Sequence, residues 1–184
     1  MSSYLALAGF FAASFAAASS GAIFRPGRWY YEDLIRPSWN PPAWLFAPAW
    51  TVFYTIMSVA AWLVWMEGGW SGLAGIALAV FFVHLVLNAA WSYLFFHLER
   101  PDLAFFEVIA LWVGVATTLV LFWMVRPLAG ALLIPYLGWV TFASYLNFTI
   151  WRLNIDADWN TADARSTGKD RRPGTASETR SGGS

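Results

Sequence analysis

The groups able to do chemistry in this 184-residue chain are few, and most are aromatic rings and amides rather than nucleophiles. There is no cysteine, which excludes disulfides, thiolate zinc sites and cysteine nucleophiles. The histidines are His84 and His97, and the one lysine is Lys169 near the C-terminus, so no membrane-buried Schiff base can form. Glu107 is the one acid inside an apolar segment. About one turn from the segment's start, it is expected to be hydrated at the interface. No acid or second histidine accompanies His84 to build a hydrolytic triad or a metal site. Ion pumping, hydrolysis and metal chemistry therefore have little to work with.

Rings and amides, by contrast, recur at helical spacing. His84, Asn88, Trp91 and Phe95 fall on one face, with Ser92 at its border. Trp50, Tyr54, Met57 and Ala61 form a second stripe. Trp139, Ala143, Asn147 and Ile150 form a third, with Tyr136 alongside. An amide facing hydrocarbon loses its hydrogen bonds, so Asn88 and Asn147 should point inward. Two readings fit. The amides can be interhelical ties and the rings plain packing. Alternatively, Trp50, Tyr54, Asn88, Trp91 and Trp139 wall a pocket for a flat apolar ligand, since Trp otherwise favours interfacial belts. Pro48 and Pro135 lie inside the same segments as Trp50 and Trp139. Each removes a backbone donor, which either bends the helix beside an indole or merely distorts it near the surface.

The elements that must position these residues follow from composition. The chain is 59% hydrophobic and 12% charged, against about 25% charged in soluble domains. It is a membrane protein by that measure, with mean hydropathy +0.52. A net charge of zero argues against a nucleic-acid partner. Segments 4–24, 43–66, 73–96, 103–125 and 128–151 are each long enough to span a bilayer, which needs roughly 20 apolar residues. The expected fold is an all-α membrane protein, a bundle of five transmembrane helices. The first segment lacks the basic start of a signal peptide and is read as a retained span. From Asn154 onward the composition turns polar. The transmembrane domain is drawn over residues 1–154 and a disordered tail over 155–184, with Asn154 itself reading as tail-like.

Arg25, Arg28, Arg36, Arg100 and Arg152 flank the spans on one side, and Arg126 stands alone on the other. That bias puts the tail in the cytoplasm and suits a bacterial inner membrane. The connection 25–42 holds Trp29, Tyr30, Tyr31 and Trp39, either a lid over the bundle mouth or interfacial anchors. Asn40 followed by Pro41 reads as an N-cap and first-turn proline. Small residues at Ala8, Ala12, Ala16 and at Ala13, Ala17, Gly21, with Gly75 and Ala79, permit close helix approach and point to a homodimer.

The segments Trp29-Tyr30, Arg36-Pro37-Ser38-Trp39-Asn40-Pro41-Pro42 and Pro48-Ala49-Trp50-Thr51-Val52-Phe53-Tyr54 resemble the translocator protein family. That family is also called tryptophan-rich sensory protein (TspO/MBR) and peripheral benzodiazepine receptor. Leu87-Asn88-Ala89-Ala90-Trp91-Ser92, Pro135-Tyr136-Leu137-Gly138-Trp139 and Leu146-Asn147-Phe148-Thr149-Ile150-Trp151-Arg152-Leu153-Asn154 extend the resemblance over residues 4–154. It implies a five-helix, often dimeric protein with a pocket beneath the first loop for protoporphyrin IX, heme and benzodiazepine-type ligands. These would be ligands, with no cofactor required. Positions matching the family's pocket are Trp29, Tyr30, Pro41, Trp50, Tyr54, Asn88, Trp91, Ser92, Trp139 and Ala143. The resemblance gives Trp50 and Trp139 a catalytic role if the chain degrades porphyrin in light, as some bacterial members do. His84 replaces a glutamine of many relatives and faces the pocket in this reading, as a polar lining residue or a heme-iron ligand. The sterol motif of animal members is broken, because Phe148 stands where its tyrosine belongs and Tyr145 is too far from Arg152.

Overall fold

The computed structural model describes residues 3–155. Of the expected tail, 155–184, all but Ile155 lies outside the described residues. Among the described residues five helices are long and apolar enough to cross a membrane: α1 (Ser3–Ile23), α2 (Ala43–Gly68), α3 (Gly72–Ser92), α4 (Pro101–Val125) and α5 (Pro127–Leu153). The chain is thus an all-α, multi-pass membrane protein. α3 continues through a wider turn, Tyr93–His97, closed by Leu98 N–H on Tyr93 C=O at 3.0 Å.

Proline decides where several helices begin. A residue before proline is pushed out of the helical region, and Arg126 is accordingly extended (φ −151°, ψ 110°), so a single residue separates α4 from α5. The same rule corrects the expected cap of α2. Pro41 precedes Pro42 and cannot be helical, so α2 starts only at Ala43, with Pro42 at the cap position. Asn40 caps nothing; its amide donates to Pro41 C=O at 2.9 Å and reaches the Tyr30 hydroxyl at 3.5 Å. At the other membrane face, Gly69 (φ +57°) turns the chain from α2 into α3, a backbone conformation that glycine adopts without strain.

One core holds all five helices together, with Met57, Phe81, Phe122, Leu133, Tyr136 and Val140 almost fully buried. Gly130 allows the α4–α5 approach, since a Cβ there would sit 2.6 Å from Trp123 Cβ. α1 packs against both α2 and α3. At its start Trp62 Nε1 of α2 donates to Ser3 at 2.9–3.0 Å. At its end Gly21 faces Ser92 of α3, and the Phe24 ring lies 5.3 Å from Tyr93. Phe15, Ala18 and Gly21 in the second half of α1 and Phe46, Ala47 and Trp50 in the first half of α2 line one cavity.

Glu107 differs from expectation. Both carboxyl oxygens are covered and have no hydrogen-bond partner among the described residues. The reason is position: α4 begins at Pro101, so Glu107 sits nearly two turns into the helix rather than one. A covered, unpaired carboxyl costs stability whichever way it is protonated. Glu107→Leu is expected to stabilise the protein by about 1–3 kcal/mol. A thermal melt in detergent checks this; a lowered midpoint would reveal a role that outweighs the burial cost.

Candidate functional site

The helices leave a cavity of about 470 Å³ toward the end of the bundle that carries loop 24–42. Its walls include Trp50 and Tyr54 of α2, Asn88, Trp91 and Ser92 of α3, Val108 and Leu111 of α4, and Trp139 and Ala143 of α5. Tyr30 and Tyr31 of the loop also line it. Eight of the eleven residues singled out in the sequence are thus brought together. Phe15, Ala22, Ala47 and Thr51 of the helices and Tyr31 of the loop line the cavity yet are also exposed on the outer surface, so its mouth is bordered by α1, α2 and loop 24–42.

The rings make a continuous wall. Trp50 meets Trp139 edge to face at 6.4 Å between centroids and lies 5.6 Å from Tyr54. Phe46 and Phe53 flank Trp139 at 6.0 and 5.6 Å, and Trp91 stacks on Phe95 at 4.9 Å. These offset and edge contacts are the favoured aromatic geometries. The indole N–H of Trp139 is covered and has no hydrogen-bond partner among the described residues.

Two amides organise the polar part. The Tyr54 hydroxyl donates to Asn88 Oδ1 at 2.5 Å, and Asn88 Nδ2 donates to the Tyr136 hydroxyl at 2.6 Å, linking α2, α3 and α5. Asn147 Oδ1 accepts from Trp91 Nε1 at 3.0 Å, and its Nδ2 donates to Pro101 C=O at 2.8 Å. Asn88 and Asn147 are both buried, as their cost in hydrocarbon requires. Both also line the cavity, so the tie and the pocket wall are the same residues.

Three expected site residues stand elsewhere. The His84 ring is fully buried in the core, against Phe81 and Tyr136 at 5.1 and 6.0 Å, with Nδ1 3.2 Å from the Thr118 hydroxyl. It does not line the cavity, so an iron held there would not meet it. The cause is a helical turn: His84 lies one turn below Asn88, where Gly114 of α4 closes in, a Cβ there being 3.2 Å from His84 Cβ. Trp29 packs on Phe95 from behind the wall, at 6.0 Å. Pro41 belongs to the turn before α2 and is absent from the lining.

Sequence reasoning missed Phe46 and the α1 residues. Phe46 extends the Trp50–Tyr54 stripe by one more turn and was legible there. Phe15, Ala18 and Gly21 were hidden because α1 reads as a stripe of small residues, not as a pocket wall.

Loop 24–42 does fold over the bundle end. Tyr30 and Leu34 are buried with Phe95, Leu146 and Ile150. The guanidinium of Arg36 lies 4.8 Å above the Tyr30 ring, and Trp39 stacks on Tyr145 at 5.4 Å. On the opposite face Arg126 pairs with Glu67 at 3.1 Å.

Five spans around an aromatic-walled chamber, capped by a folded loop, define a polytopic helical membrane protein with an internal small-molecule-sized cavity. The chain belongs to the TspO/MBR family, whose sequence profile matches residues 4–152. It is 43% identical over 145 residues to Protein CrtK of Rhodobacter capsulatus, covering 79% of this chain and 90% of that one. It is 42% identical over 130 residues to Tryptophan-rich protein TspO of Chlorobaculum tepidum, covering 71% and 82%. The human Translocator protein is 38% identical over 128 residues, covering 69% and 75%.

Proposed function

We propose that this protein binds a flat tetrapyrrole, protoporphyrin IX or heme, in the cavity beneath loop 24–42, and serves porphyrin transport or sensing. The observation that carries the reading is the cavity itself. Its volume of about 470 Å³ falls within the ~300–1,000 Å³ of small-molecule sites. Large rings wall it, and Asn88 and Asn147 supply the few polar groups. Its mouth, bordered by α1, α2 and loop 24–42, suits a ligand that partitions into the bilayer. The names of its relatives, a sensory protein and a translocator, agree with both roles. Titration with protoporphyrin IX tests it by Trp quenching in the dark, with saturable binding expected. Absence of saturable binding would remove the tetrapyrrole from the reading.

A second reading is light-dependent porphyrin degradation, favoured by the two indoles that meet at the cavity wall. Trp50 and Trp139 would place oxidisable rings beside a bound porphyrin. If this activity is present, the Trp50→Phe/Trp139→Phe variant should lose light-driven bleaching by about tenfold or more while still quenching on titration. Equal bleaching by both proteins would rule out the indoles.

We further place the protein in a bacterial inner membrane, with its C-terminus in the cytoplasm, on the arginine asymmetry. The homodimer reading is supported by Ala8, Ala12 and Ala16, which all face outward on α1.

A further inference from the structure

Asn154 reads as the first residue of a polar tail, yet it is only 4% exposed. Its Oδ1 accepts the Ile35 N–H at 3.0 Å, and its Nδ2 donates to Ile35 C=O at 2.8 Å. A single side-chain amide thus pairs with both backbone groups of one residue, as a neighbouring strand would. The same Nδ2 donates to Ile150 C=O at 2.7 Å, satisfying a carbonyl left open at the end of α5. The contact joins residues 119 positions apart in sequence.

What Ile35 anchors is the loop over the cavity. Four and five residues upstream, Tyr31 and Tyr30 form part of the cavity lining. Both tyrosines belong to a wide turn, Trp29–Asp33, closed by Leu34 N–H on Trp29 C=O at 3.0 Å, directly before Ile35. Leu34 is buried beside Ile150. A displacement of Ile35 is therefore passed to the tyrosines through a short, closed segment rather than absorbed by slack chain. The apolar contacts of Tyr30 and Leu34 fit many loop positions, whereas the amide pair fits one register.

We infer that Asn154 is a latch, a positioning residue that holds loop 24–42 closed and sets the rate of ligand entry and exit. The ligand arm rests on the tetrapyrrole reading above; the closure of the loop does not. Asn154 is also the last residue of the α5 cap, so the position of the loop and the end of α5 are fixed by one side chain.

Asn154→Ala should raise hydrogen exchange at the Ile35 amide by about tenfold, leaving core amides of α3 unchanged. It should also speed both association and dissociation of protoporphyrin IX by about tenfold, with Kd altered less than about threefold. Because the alanine also removes the α5 cap, Ile35→Pro serves as the second variant. It deletes the N–H that Asn154 accepts and spares the cap. Leu34 already has the extended backbone (φ −81°, ψ 122°) that a residue before proline adopts. Ile35→Pro should reproduce the faster ligand kinetics. Unchanged exchange at Ile35 in Asn154→Ala would overturn the latch. Faster exchange with unchanged ligand rates in both variants would overturn its control of entry. If wild-type protein fails to bind protoporphyrin IX, the functional reading falls, and Ile35 exchange alone decides whether Asn154 holds the loop.

Discussion

Ala143→Trp is expected to weaken protoporphyrin IX binding by about 100-fold while the protein still folds. Ala143 lies on α5 one turn beyond Trp139 and lines the cavity. An indole there projects into the cavity that Ala143 lines, so the helix packing need not move to admit it. The ligand must instead surrender part of its own volume. Dark titration by Trp quenching reads the loss, and a thermal melt shows that the fold is kept. Ile109→Trp is the matched control, because Ile109 faces outward and is 43% exposed. It adds the same ring on the lipid side and should leave affinity alone. Equal binding by Ala143→Trp and wild type would place the ligand outside this cavity.

The spans were legible because hydrocarbon leaves a chain little choice: every backbone group must be satisfied within the helix, and apolar length then reports each crossing. Expected and observed helices agree to within two residues at every end, with α3 counted through its wide turn Tyr93–His97. The pocket was legible in part, since periodicity gathers Trp50, Tyr54, Asn88, Trp91 and Trp139 onto inward faces. Periodicity does not say how deep along the axis a neighbour reaches. For that reason His84, in the same stripe as Asn88, was expected at the pocket and lies in the core beside Gly114. Asn154 was illegible for a different reason. Its partner is a backbone unit 119 residues away, and a backbone unit leaves no mark in the sequence.

The tie between α2, α3 and α5 carries the other large effect. Asn88→Leu should destabilise the protein by about 1–3 kcal/mol, seen as a lower thermal midpoint in detergent. Two estimates compete here. Coupling between paired polar side chains in membrane bundles averages only ~0.6 kcal/mol, because the separated helices find other partners. Removing one member of a buried network costs more, since the groups left behind keep their desolvation penalty. Asn88 is the middle member: without it the hydroxyls of Tyr54 and Tyr136, both buried, lose the bonds that join them. The larger estimate therefore applies. Tyr54→Phe/Asn88→Leu/Tyr136→Phe distinguishes the two, since it deletes the orphaned hydroxyls along with the amide. Recovery of most of the lost stability in the triple variant would show that unsatisfied groups set the cost. If the triple variant is no more stable than Asn88→Leu, the loss lies in packing around residue 88 instead. In either background the cavity keeps its apolar walls and loses its polar group at Asn88, so ligand orientation should suffer even where stability is restored.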